Sequence, residues 1–548
     1  MSGACAMKKR PSSSLQAGAC AMKKRPSSAT PATAVKKRPV RPVQYEDLTP
    51  SADQPMVQPE WAQAGPGPLP EHPAWAEHLV HMLLQQGLLP RIPSMTECKL
   101  RVWSDCSGIN SEMFALEAIS KALVEILGIH LRVSMYCSCD LDKECLRLTQ
   151  MRYRPQHLCS NIVERNFQLG QFYCMLAEKN ITLPREGIDL YVGTYPCSPW
   201  SRRGKRSGWD HPDIIPLHIG IQTVEYMRPA TFVFELGELP AQAAREEIQQ
   251  KIAELLNKAG SPMYVMQTVS GLNPGFSGYP IHRPRLFVLG WRMDNGTPDT
   301  MTAPLQCLLA KPMEIQKTFL GFLHLRRTAD WSRVGEYPTD EELRWCMHSQ
   351  CMCSPDAFVV CPVHKCKCQN CGDDGLGCSW RKLMGDLLPK IGPRAMVAKD
   401  PRRLTYTQVL EMSGGTCPEN PRLRTYMNLM ALHQHAWPLN DTLMIVDLSQ
   451  NPPYQGTCHS GYVPTLATSS TPFCFQTGAF LTTYQLATLM GMQLKSINLN
   501  GFGERWFRMK IGLSVHPANF GIVLMALIAA PLAKHVGSLP TPCTTAGV

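Results

Sequence analysis

Between Lys99 and Leu289 short apolar runs alternate with longer amphipathic segments, and this rhythm restricts the fold more than any other feature of the chain. Ile188 to Tyr195 and Thr231 to Phe234 are nearly continuous apolar runs rather than runs apolar at every second residue. A strand with one face in water alternates. A strand buried on both faces does not, and such strands occur in parallel sheets covered by helices on each side. Leu100 to Trp103, His130 to Tyr136, Met263 to Val269 and Leu286 to Leu289 add further predicted strands. Met113 to Leu127 is a predicted helix with Phe114, Ile119, Leu123 and Ile126 on one face, and Glu246 to Lys258 is another, stopped by Gly260. The expected class is α/β, with a doubly wound sheet.

The flanking segments have different compositions. Residues 1–43 hold ten Lys and Arg and no acid, while the remaining chain has 45 basic and 44 acidic residues, so almost all of the net charge of +11 belongs to this arm. GACAMKKRPSS occurs at Gly3 to Ser13 and again at Gly18 to Ser28, and a third KKRP stands at Lys36 to Pro39. Such a stretch cannot bury a core. It reads as a nuclear address, as a tether to phosphates, or as a solvated tail. The expected organisation is an arm and Pro-rich linker over 1–73, a short helical segment over 74–98 and the α/β core over 99–290. An insert then spans 291–477, the rest of the α/β domain 478–533 and a tail 534–548. A helix is predicted over Ala74 to Gln86, with Gly87 placed to end it. The longest apolar run, Gly521 to Ala533, is too short to span a bilayer, so no membrane partner is expected.

Eight of the 23 cysteines crowd into residues 346–378. Disulfide frameworks suit short secreted chains, and the basic, Ser/Pro-rich N-terminus has no apolar leader, so a reducing compartment is expected. Cys351, Cys353, Cys361, His364, Cys366, Cys368, Cys371 and Cys378 are the candidate zinc ligands, because tetrahedral zinc takes four close thiolates or imidazoles. The alternative is a loop of reduced cysteines.

The candidate chemistry sits at strand ends. The run ending at Tyr195 leads straight into Pro196-Cys197-Ser198-Pro199, and the carboxyl end of a parallel strand is where α/β proteins place their ligands. Arg202, Arg203, Lys205 and Arg206 follow, and nearby positive charge raises a thiol's thiolate fraction. A second strand ends in Phe234-Glu235, and Arg283-Pro284-Arg285 leads into the strand at Leu286. Nucleophile, acid and arginines thus converge on one rim.

In chain order the motifs resemble those of the DNA cytosine-5 methyltransferases, over about residues 99–290 and 457–532. Asp105 to Asn110 is similar to the first cofactor motif, Cys139 to Asp142 to the acidic end of strand two, and Asp189 to Ser201 to the Pro-Cys motif. Arg228-Pro229 through Glu235 resembles the Glu-Asn-Val motif, and Arg283-Pro284-Arg285-Leu286-Phe287 the arginine motif. Pro464-Thr465-Leu466, Leu481-Thr482 and Gly491 are similar to the segment that buttresses the recognition module, and Gly512 to Pro517 to the closing cofactor motif.

The resemblance implies a Rossmann-like S-adenosylmethionine-dependent methyltransferase domain with an inserted Cys-rich target-recognition module. It implies that Cys197 adds to C6 of a flipped cytosine, that Glu235 serves N3, and that Arg283 and Arg285 hold the O2 side and the catalytic loop. Cys106, Gly108, Ile109, Asp140, Asn161, Pro196, Ser514 and Val515 are the implied contacts of S-adenosylmethionine. The chain departs from the family pattern in several places. Cys106 stands for a Phe, Asn110-Ser111 for glycines, Asn161 for an Asp, Leu236 for an Asn, Ile281 for a Gln and Leu513 for an Asn. A nuclear DNA methyltransferase is expected. An RNA cytosine methyltransferase and a catalytically degenerate nucleic-acid or partner-binding protein stay open. Target sequence and oligomeric state carry no signal.

Overall fold

The structure of the protein is a computed structural model. It describes residues 58–63, 72–90, 96–196, 198–199, 208–237, 242–256, 263–313, 322–323, 406–412, 417–419, 423–424, 427–428, 445–449 and 462–537. The basic arm, Cys197 and residues 346–378, with the eight expected zinc ligands, lie outside the described residues.

The chain enters through helix α1 (Trp75–Gln85), which ends at Gly87 with φ +69°. Strand β1 (Thr96–Asp105), helix α2 (Ser111–Leu127), strand β2 (Ile129–Cys139), helix α3 (Lys143–Tyr153) and strand β3 (His157–Cys159) follow. A hairpin of β4 (Gln171–Cys174) and β5 (Lys179–Thr182) leads to β6 (Leu190–Thr194) and helix α4 (Ile215–Met227). Then come β7 (Thr231–Gly237), α5 (Gln242–Leu256), β8 (Tyr264–Leu272) and β9 (Arg285–Arg292).

Seven strands form one sheet in the order β3-β2-β1-β6-β7-β9-β8. The first five run parallel, and β9 lies antiparallel to both neighbours. Strand order reverses between β1 and β6, the switch point where doubly wound sheets open a crevice. The register aligns the strand ends. Asp105 pairs with both Cys139 and Gly193, Cys139 with Cys159, Thr194 with Glu235, and Gly237 with Arg285.

Alternate side chains feed two cores. Val192, Val233, Phe287 and Leu289 face one core, while Tyr191, Phe232, Phe234 and Val288 face the other with α4 and α5. The first is closed by helix α6 (Pro298–Ala310) and by elements much later in the chain. After the short helix α7 (Tyr406–Met412) these are a small antiparallel sheet and three helices. The sheet comprises β10 (Ile445–Asp447), β11 (Pro472–Cys474) and β12 (Ala479–Phe480). The helices are α8 (Thr483–Leu489), α9 (Glu504–Leu513) and α10 (Pro517–Gly537). Helix α10 packs on α2, α6, β7 and β9. Trp75 of α1 lies so close to it that a Cβ on Gly521 would stand 2.0 Å from the indole. Helix α6 packs on α1 and α10, so the chain stays with the α/β core beyond residue 290. Among the described residues no single helix is long and apolar enough to cross a membrane.

Candidate active site

The β1–α2 turn forms the first wall. Cys106, Gly108 and Asn110 all have positive φ, and the Gly108 N–H donates to Asp140 Oδ2 at 2.7 Å. A Cβ built on Gly108 would meet nothing within 4 Å, so the turn faces open space. Asp140, one residue beyond β2, accepts at Oδ1 from the Asp142 N–H at 2.8 Å. Each carboxylate oxygen keeps a second lone pair. Burial raises its carboxyl against the pull of those N–H donors. Leu141 beside it is 77% exposed. Asn161, one residue beyond the Ser160 that follows β3, accepts from the Val163 N–H at 3.2 Å and so caps the short 3-10 helix Ile162–Glu164. The open turn at Gly108 and the remaining lone pairs of Asp140 are the groups here that could hold a cofactor.

Behind the turn, Glu112 of α2 is fully buried. Its Oε1 accepts from Ser104 Oγ at 2.6 Å, and its Oε2 accepts from no described residue. Burial pushes this carboxyl up to about 7.

The second wall belongs to β6, β7 and β9. Thr194 donates its hydroxyl to the Cys106 carbonyl, tying β6 to the cofactor turn. Pro196 is exposed. Beyond residue 197, Ser198 donates to Asp213, and the Gly208 N–H donates to the Pro199 carbonyl at 3.1 Å, so the two ends of the Pro-Cys loop are pinned together. Glu235 is buried beside Thr194, and Arg285 Nε meets its Oε1 at 2.8 Å. Burial raises the Glu235 carboxyl, and the guanidiniums of Arg285 and Arg283 oppose that rise.

Arg283 was expected on the substrate side with Arg285, but its guanidinium turns into the protein. It is 1% exposed and donates to three backbone carbonyls: Ser514 at 2.7 Å, Leu466 at 2.8 Å and Gly512 at 2.8 Å. Its own N–H is held by Asn273 Oδ1 at 2.9 Å and its carbonyl by Asn519 Nδ2 at 3.3 Å. A three-fold charged donor satisfies carbonyls that the C-terminal end of α9 would otherwise leave open. Ser514 and Val515 are therefore placed by Arg283, with Val515 buried in the core.

A buried polar cluster beneath both walls escaped the sequence reading. Asp105 accepts from Trp103 Nε1 at 2.9 Å, from Tyr191 Oη and from both terminal nitrogens of Arg165, one of them at 2.6 Å. Arg165 also donates to Thr223 Oγ1 at 2.8 Å, and Tyr191 and Tyr195 share a hydrogen bond at 3.0 Å. The only signal was an acid closing an apolar strand; its partner lies sixty residues on. Among the described residues no group of three or more His, Cys, Asp or Glu could hold a metal ion.

The sheet order, the open turn at the ends of β1 and β2 and the buried acid in β7 together make a doubly wound α/β domain with a candidate ligand site at its switch point. Residues 107–319 match the family model of the C-5 cytosine-specific DNA methylases. No curated protein matches the chain. Similar solved structures include a protein assigned as a DNA modification methyltransferase, encoded within a prophage of E. coli. It has 14% identity and a TM-score of 0.41, covering 78% of this chain and 98% of that one. A mutant of Spodoptera frugiperda DNMT2 follows at 11% identity and TM-score 0.36, covering 78% and 99%. The S. pombe Dnmt2 methyltransferase stands at 14% and 0.34, covering 78% and 98%.

Proposed function

We propose that this protein methylates C5 of cytosine in DNA, with Cys197 as nucleophile and Glu235 as the acid at N3. The observation that carries the reading is Glu235 itself. It is a buried, Arg285-paired carboxyl near the C-terminal end of β7, hydrogen-bonded in register to the strand that leads into Pro196-Cys197. C5 of cytosine is a weak nucleophile until a thiolate adds to C6, and a proton supplied at N3 makes that addition favourable. Burial keeps a proton on Glu235 toward higher pH, and Arg285 fixes the side chain and steadies the carboxylate left after transfer. Bound S-adenosylmethionine supplies a methyl group activated by the adjacent sulfonium. Gly108 leaves room for it, Asp140 offers lone pairs to ribose hydroxyls, and Arg283 holds Ser514 and Val515 in place. The cytosine leaves its duplex to reach this rim.

In the same reading residues 291–477 choose the target, residues 346–378 bind zinc as a structural ion, and the basic arm contacts phosphates and directs the chain to the nucleus. A second reading, a methylase domain retained for binding alone, is favoured by Asn161, whose side-chain oxygen is engaged as a helix cap.

The test is covalent trapping. Full-length protein with S-adenosylmethionine and a duplex containing 5-fluorocytosine should give an adduct that survives denaturation, because fluorine cannot leave C5 as a proton does. Cys197→Ala should give none. The same base in RNA provides the second arm, and an RNA adduct without a DNA adduct would replace the substrate. Cofactor binding without either adduct would leave the binding-only reading standing.

A further inference from the structure

The ion pair of Arg165 with Asp105 has both side chains essentially out of water, at 1% and 0% exposure. Burying two charges costs about as much as their attraction returns, and apolar replacements of such pairs often fold as well or better. Stability is therefore a poor account of this pair. Its position offers a better one. Asp105 is the last residue of β1 and precedes the turn with Gly108, while Arg165 follows the 3-10 helix capped by Asn161. Tyr191, donating to Asp105, lies in β6, and its partner Tyr195 immediately precedes Pro196. The Tyr195 ring fills space that two glycines leave. A Cβ on Gly193 would stand 2.3 Å from its hydroxyl oxygen and one on Gly220 1.7 Å. The Tyr195 N–H donates to the Glu235 carbonyl at 3.2 Å. One unbroken chain of contacts thus runs from the cofactor turn to the strand that carries the acid.

We propose that Arg165, Asp105, Tyr191 and Tyr195 form a positioning network that couples the cofactor wall to the substrate wall, so that each ligand binds more tightly in the presence of the other. The inference rests on the methyltransferase reading and adds the means by which its two half-sites communicate. All four side chains are buried, so the network is assigned a positioning role and not a catalytic one. Tyr191→Phe is the sharpest probe, because it removes the link between Asp105 and Tyr195 and keeps the ring against Phe234. Tyr195→Phe removes the other end of the same link.

The experiment is calorimetric titration of S-adenosylhomocysteine into full-length protein, with and without saturating poly(dI-dC) duplex. In the wild type the duplex should tighten cofactor binding about tenfold, within the usual range of coupling between sites, and by linkage the cofactor should tighten duplex binding equally. In both variants the ratio should fall below about 2, while affinity without duplex stays within about twofold. A merely structural role would lower the melting temperature and leave the ratio unchanged. An unchanged ratio in both variants, or a wild-type ratio of one, overturns the network. Failure of the wild type to bind S-adenosylhomocysteine at all would instead remove the methyltransferase reading and the network with it.

Discussion

Replacing Glu112 by Gln should change how stability responds to pH, and the size of the change follows from its surroundings. Glu112 is fully buried, receives one hydrogen bond from Ser104 and stands near Asp140, whose charge adds to the burial in favouring the protonated form. Its carboxyl is raised from an ordinary 4.5 to about 7. Below pH 4.5 both folded and unfolded chains hold the proton, and the contribution to stability is complete. Between there and pH 7 only the folded chain holds it, so raising the pH weakens the fold, and above 7 the loss is in full. At 1.36 kcal/mol per unit the total is about 3 kcal/mol, of which about 2–3 kcal/mol falls between pH 5 and 8. Glutamine keeps the shape and the acceptor for Ser104 without a charge to suppress. Urea unfolding of both proteins at pH 5 and pH 8 isolates the effect, since every other titrating group is common to the two. The variant should gain on the wild type by about 2–3 kcal/mol at the higher pH. Parallel pH profiles would refute the reasoning and mean that solvent reaches Glu112.

Four further outcomes are expected. Glu235→Gln should lower methyl transfer by roughly two to four orders of magnitude with cofactor binding intact, and a variant with more than half the wild-type rate would leave Glu235 a packing role. Gly512→Ala should cost roughly 1–3 kcal/mol in urea unfolding, because its Cβ would stand 2.3 Å from the Ala467 carbonyl oxygen, a backbone atom that cannot swing aside. An unchanged midpoint would show that this junction yields. Metal analysis should find at least one zinc per chain, and chelation should leave the thermal transition of the α/β core in place; a metal-free preparation with full activity would remove zinc from the account. Deleting residues 1–43 should flatten the log–log salt dependence of DNA binding by about three to six units without changing the target site. An altered target would mean that the arm reads bases.

The strands were legible because burial on both faces writes itself as uninterrupted apolar sequence, as at Val192 and Phe232 to Phe234. Helix α3 was not read, since its exposed face carries Lys143, Glu144 and Arg147 and only a few residues such as Leu146 and Leu148 are buried. The three-residue β3 and the β4–β5 hairpin are too short for periodicity to register. At the site, the position of Glu235 was readable from the strand before it. The orientation of Arg283 was not, because its acceptors are backbone carbonyls 183 to 231 residues further on, and every residue carries a carbonyl. The Arg165–Asp105 pair failed for the same reason, a partner distant in sequence.

The last helix has a consequence for how the protein is made. Helix α10 covers β7, β9, α2 and α6, and the carbonyls that occupy Arg283 belong to residues 466, 512 and 514. A ribosome that has finished β9 must still synthesise some 245 residues before α10 is whole, which at typical elongation rates takes roughly 10–50 s. During that interval β7 and β9 lack the cover that α10 supplies, and the guanidinium of Arg283 lacks the carbonyls of Leu466, Gly512 and Ser514. The nascent chain therefore leaves apolar surface of the sheet without its last helix for the whole of that interval. A premature stop anywhere before residue 517 would release a sheet that lacks its lid helix, a species fit for degradation or aggregation rather than for a milder, partly active product.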